Sequence, residues 1–297
     1  MSTPSGSVLS RSSDQPGQPG QPGQASREGQ AGAGRLLWPV ANLLALLATV
    51  AVNGLANALP LNGISTGDVI NRDPTPFLPA NWVFSIWGLI YLMLGVFVVY
   101  GLLPRGQADP AVRAISPLFV LSCLANCTWL FLWHYGQLPL SLLVMAGLLG
   151  TLIGIYGRLS PGRHSVGLLR VPFSVYLGWV SVASIANAAV VLDRAGWDGW
   201  GIAPDTWAVV MIVAGAALAT VIGLLFADPF YVAVFVWAFA GIAVRQTELP
   251  NVAGAAAWSA GALALLTVVT AFLARRRSVT PAPDSGQATT QPAESAG

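Results

Sequence analysis

The sequence contains no lysine; all fourteen of its basic residues are arginine. Retinal and pyridoxal cofactors are both held as a Schiff base on a lysine amine, so the absence excludes them. A seven-helix retinal pump, otherwise a natural reading of a polytopic chain, is removed with them. Charge of either sign is scarce, at 9% of residues against roughly a quarter in soluble domains. The net charge is only +2 and no basic stripe is visible, so no nucleic acid partner is expected.

Metal ligands and nucleophiles are equally thin. There are two cysteines, Cys123 and Cys127, and two histidines, His134 and His164. The cysteines are four apart and share a helical face; with no second cluster to complete a metal shell, they read as small core residues. No disulfide framework can be drawn. The histidines fall at a helix end and in a loop, where solvated histidines are common. No Asp, Glu or Arg occupies the interior of an apolar segment, and proton pumps, ion-coupled transporters and voltage sensors need such charge. The glycines form no phosphate cradle after a strand, and no nucleophile–base pair is present. No catalytic residue and no metal site is therefore expected.

What the chain does contain is apolar surface. Of its 297 residues 55% are hydrophobic, with a mean hydropathy of +0.65. Eight apolar segments run over about 36–58, 80–103, 115–135, 139–157, 168–192, 206–226, 230–247 and 252–273. Each is close to the length that spans a hydrocarbon core of about 30 Å at about 1.5 Å per residue. The expected fold is an all-α polytopic membrane protein with a lipid bilayer as its surroundings. Ser116-Pro117 is expected to open the third helix, Pro139 the fourth and Asp228-Pro229 the seventh. The seventh ends in Arg245 and Glu248, three apart and expected to pair with each other at the interface.

Residues 1–34 are rich in Gly, Pro, Gln and Ser, and 275–297 are similar in character; both read as disordered tails. The first apolar segment is longer than a usual signal core and reads as a retained helix. With the N-terminus placed in the cytoplasm, eleven arginines fall inside and only Arg72, Arg194 and Arg245 outside. This positive-inside bias predicts an even helix count and two cytoplasmic termini in the cell membrane. The longest outside loop, about 59–78, carries Ser65 and Asp68 at capping-box spacing and then Pro74, Pro76 and Pro79. It reads either as a lid or as a connector. Gly and Ala on the helix faces permit a homodimer.

Within the segments, Trp and Asn recur at helical spacing. Trp87 and Tyr91 share a face of the second helix, with Trp82 and Phe84 near its outer end. Asn126, Trp129 and Trp133 form one stripe of the third; Trp179, Ala183 and Asn187 form one stripe of the fifth. A small residue between a Trp and an Asn leaves a hollow with one aromatic wall and one polar fixing point, the make-up of a ligand pocket. The competing reading is helix packing, in which Asn amides bond across helices and small residues admit close approach.

Three of these stretches resemble the tryptophan-rich sensory protein, or translocator protein, family. They are Pro79-Ala80-Asn81-Trp82-Val83-Phe84 with Trp87 and Tyr91, Asn126-Cys127-Thr128-Trp129, and Tyr176-Leu177-Gly178-Trp179 with Asn187. Asp193-Arg194-Ala195-Gly196-Trp197 is similar to the family's ending, so the resemblance covers roughly 36–200. The chain also departs from the family. Trp82 to Trp87 is one residue shorter, the first loop lacks the Trp-Tyr and Lys-Pro-x-Trp elements, and the helix-five proline is displaced to Pro172. The last three segments have no counterpart in a five-helix family.

The resemblance implies a five-helix, translocator-like module over 35–200, followed by three additional helices over 201–274. It implies a pocket open toward the first loop and a flat apolar ligand of the porphyrin or tetrapyrrole kind, bound for sensing or transport. Trp179 and Ala183 would floor this pocket, Asn126 and Trp129 would wall it, and Trp82 would stand near the mouth. Two rival readings follow: a small-molecule permease completed by the last three helices, and a light-dependent porphyrin-degrading enzyme using Trp82 and Trp179.

Overall fold

The computed structural model describes residues 23–59, 61–63, 71–72, 74–159 and 166–279. Among them the regular structure is helical throughout. Eight main helices follow one another: α1 Gly23–Ala58, α2 Ile86–Leu102, α3 Pro110–His134, α4 Leu138–Arg158, α5 Val166–Arg194, α6 Pro204–Phe226, α7 Pro229–Arg245 and α8 Pro250–Val279. A 3₁₀ turn over Asn81–Ser85 leads into α2, and a short helix Pro104–Ala108 links α2 to α3. Among the described residues seven spans are long and apolar enough to cross a membrane. The eighth apolar helix, α7, has 17 residues and reaches about 25 Å, a little short of a hydrocarbon core. Its flanks are well packed instead, with Val232, Phe235, Ala238, Phe239 and Ile242 all fully buried.

α5 is the hub, with the largest buried share of any span. It packs on α4, α2 and α7. α1 closes one side against α2 and α3, α3 pairs with α4, and α6, α7 and α8 pack mutually on the far side of α5. Close approach of α7 depends on glycine. A Cβ on Gly178 of α5 would lie 3.1 Å from Val234 Cβ, and one on Gly241 would lie 2.0 Å from Val83 Cγ2.

Several expectations are corrected. α3 opens at Pro110, capped by Asp109, whose carboxylate accepts from the Ala111 amide at 2.8 Å. Pro117 lies inside the helix, and Ser116 Oγ bonds back to the Val112 carbonyl at 2.7 Å. The missing N–H of Pro117 deprives the Arg113 carbonyl of its usual donor, and the helix continues through it to His134. α1 begins at Gly23 and α8 runs to Val279, both beyond the expected tail boundaries. Extending an existing helix costs far less than nucleating one. His134 is fully buried, with Nδ1 at 2.9 Å from the Leu130 carbonyl. The Arg245 guanidinium donates to Asn71 and Asn81, not to Glu248. The Ser65–Asp68 capping box and His164 lie outside the described residues.

Charge also enters the packed interior. Asp228, 4% exposed, caps α7 through the amides of Phe230 and Tyr231. Its other oxygen accepts from Tyr156 at 2.6 Å and Ser174 at 2.7 Å and lies 3.7 Å from Arg170 Nε. Arg170 in turn donates to the Tyr156 hydroxyl at 2.7 Å and covers that ring at 4.4 Å. The cluster ties α4 and α5 to the corner between α6 and α7. Both charged members sit at helix starts, not in the interior of an apolar segment.

Candidate functional site

The stripes of α2, α3 and α5 converge on one cavity of about 460 Å³, within the size range of small-molecule sites. Eight of the ten residues singled out from the sequence line it. Phe84, Trp87 and Tyr91 come from the α2 side, Trp129 and Trp133 from α3, and Trp179, Ala183 and Asn187 from α5. Trp87 is the aromatic centre. It stacks on Tyr91 at 5.7 Å and meets Trp179 edge-on at 6.2 Å and Trp129 at 6.5 Å. Trp129 stacks on Trp133 at 5.9 Å, and Phe84 meets Trp179 edge-on at 5.7 Å.

The other two stand elsewhere. Trp82 is 43% exposed and makes an edge contact with Trp237 of α7 at 4.6 Å, outside the cavity lining. The five-residue step from Trp82 to Trp87 runs through the 3₁₀ turn, which turns the two rings to different faces. Asn126 is fully buried behind the wall. Its Oδ1 accepts from Asn53 at 3.0 Å and its amide donates to Tyr176 at 3.2 Å, so it positions Asn53, which does line the cavity.

α1 is the wall that the motifs miss. Val50, Asn53, Gly54 and Asn57 face the cavity. A polar pair four residues apart in an apolar span is itself a signal, since intramembrane polar side chains face the protein interior. Leu78 and Pro79 close the loop end. This strap is fixed from α7: Gln246 Nε2 donates to the carbonyls of Thr75 and Leu78, and the Ala80 amide donates to the Gly241 carbonyl at 3.1 Å.

The lining is apolar and aromatic with neutral polar points, and among the described residues it contains no charged side chain. Asn187 is already engaged: Oδ1 accepts from Trp129 Nε1 at 3.0 Å. Two polar atoms are not engaged. The Trp179 indole N–H and the Tyr91 hydroxyl are buried with no hydrogen-bond partner among the described residues, and both residues line the cavity. A buried donor without a partner is costly, and a ligand acceptor would remove that cost. The cavity can therefore stack a flat apolar molecule, and a small shift of the side chains covering these two groups would offer it hydrogen bonds. Among the described residues no group of His, Cys, Asp or Glu could hold a metal ion.

A family model described as TSPO-like protein matches residues 39–270, most of the chain. The match continues through α6, α7 and α8, past the stretch over which the motifs alone carry the resemblance. No curated protein and no solved structure matches the chain.

Proposed function

This chain belongs to the TSPO-like protein family, and from that premise we propose that it binds a flat, hydrophobic, porphyrin- or tetrapyrrole-like molecule within the membrane. Binding is the step that sensing and transport share. The observation that carries the reading is the aromatic cavity with two orphaned groups, Trp179 Nε1 and Tyr91 Oη, in its lining. Trp87, Trp129 and Trp133 supply ring faces for stacking. The orphaned groups supply fixing points for pyrrole nitrogens or ring substituents. Because no cation lines the cavity among the described residues, acidic substituents of such a ligand would point out past the strap at Leu78–Pro79 toward water.

The arginine bias supports cytoplasmic termini and a cavity opening on the outer side. The test is a titration of protoporphyrin IX against the purified protein in detergent, followed by the porphyrin's own absorbance band. A saturable shift that weakens in Ala183→Leu, which fills the hollow, is expected. A folded protein that gives no saturable shift would refute the reading.

A further inference from the structure

A second cavity, of about 530 Å³, lies where the loop strap, the end of α5 and the start of α6 meet. We propose that it is a binding site for an organic cation with an apolar body, such as a quaternary or protonated amine. It is separate from the porphyrin-type cavity. Ala189 and Leu192 of α5 line this one, and the lining of the first, with Ala186, Asn187 and Val190 of the same helix, does not overlap it.

Two independent features select a cation, and a third adds a polar point. The walls are aromatic: Trp197 and Trp207 line the cavity with their rings 5.2 Å apart at 49°. The Trp207 N–H is already used, donating to the Gly199 carbonyl at 2.9 Å. What that residue has left to offer is its ring, and Trp is the best cation-binding aromatic. The charge is acidic: Asp193 and Asp198 line the cavity, and among the described residues no basic side chain does. Asp198 spends one oxygen on the Trp200 amide, at 2.9 Å, and keeps the other. Arg194, at the same end of α5, has a contact of its own and is not part of the lining. Finally, Thr75 is 8% exposed and lines the cavity, yet its hydroxyl has no partner among the described residues. A protonated amine could donate to that hydroxyl, whereas a quaternary one would meet the rings and carboxylates alone.

The site is built by strain as well as by packing. Gly196 and Gly199 take positive φ, and Trp200 does so without being glycine, at φ 56°. The tight corner brings Trp197 back against Trp207. Trp200 braces the pair from outside, with its ring edge-on to Trp197 at 5.3 Å.

The cation could be free in solution or the head group of a choline lipid, and one experiment separates the two. Benzyltrimethylammonium and its neutral isostere neopentylbenzene are dialysed to equilibrium against the full-length protein in phosphatidylglycerol nanodiscs, with empty discs as the blank. The expected result is saturable binding of the cation, at least about tenfold tighter than the isostere. Asp193→Asn and Asp198→Asn should each weaken it about three- to tenfold, while Ala183→Leu in the other cavity leaves it unchanged. Trp207→Leu should weaken it further; the two Asp variants keep the test valid should that one fail to fold. In phosphatidylcholine discs, loss of the binding identifies the lipid head group as occupant, and retention identifies a free cation. Equal affinity for cation and isostere, insensitivity to both Asp variants, or loss in Ala183→Leu would overturn the proposal.

Discussion

Trp237 of α7 donates its indole N–H to the carbonyl of Val83 at 2.9 Å, across 154 residues of sequence. The contact joins the last group of helices to the 3₁₀ turn that aims Phe84 into the cavity. The same face of α7 receives that turn so tightly that Gly241 has no room for a Cβ beside Val83.

Gly241→Ala should therefore act on a cavity it does not line. The added methyl forces Val83 and Pro79 outward, at a cost of about 1–3 kcal/mol. Thermal unfolding in detergent should show the loss, and porphyrin affinity should fall with it. Trp237→Phe, which keeps most of the packing and removes only the donor, should cost about 1 kcal/mol.

The buried cluster around Asp228 gives a sharper stability test. Asp228→Ala leaves Arg170 without its carboxylate and α7 without its cap, so a loss of about 3–5 kcal/mol is expected. Asp228→Asn keeps a capping oxygen and should lose less. The double variant with Arg170→Met should be less damaging than the sum of the singles, as expected for residues in contact. Unfolding of the single and double variants measures this directly.

Asn187→Leu removes the acceptor of the Trp129 indole, which lies part-buried at the cavity wall. Intramembrane side-chain bonds of this kind contribute about 0.6 kcal/mol on average and up to about 1.7 kcal/mol. A modest stability loss is expected, together with a clear loss of ligand affinity, because the freed Trp129 ring can turn. Unchanged affinity would place Asn187 in packing alone.

How far the sequence reveals this arrangement depends on whether the determining interaction is local. Hydropathy over single segments locates all eight main helices, because each must bury its own backbone polarity in lipid. Helical spacing aligns Trp129 with Trp133 and Trp179 with Ala183 and Asn187, and these do share one cavity. What spacing does not carry is pairing across the fold. Asn53 reaches Asn126, Trp82 finds Trp237, and Tyr156 reaches Asp228 across 72 residues. The start of α3 is misplaced for a related reason. Pro117 looks like a helix opener, but Asp109 followed by Pro110 supplies a complete cap one turn and more upstream.

The Trp179 indole is a donor that no described residue uses. Trp179→Phe should thus remove no internal hydrogen bond, yet weaken a ligand that accepts from it, about three- to tenfold in Kd. Titration of the variant beside the wild type separates this role from packing: equal affinities would show that the N–H does not meet the ligand.

The most direct test of the central claim is quenching of tryptophan fluorescence by protoporphyrin IX in three proteins: wild type, Ala183→Leu and Leu92→Ala. Ala183 lines the aromatic cavity, and Leu92 is 69% exposed on the outer face of α2. Saturable quenching that is preserved in Leu92→Ala and weakened in Ala183→Leu is the predicted result. Quenching that does not saturate, or that is the same in all three folded proteins, would contradict the claim that this cavity is where the ligand binds.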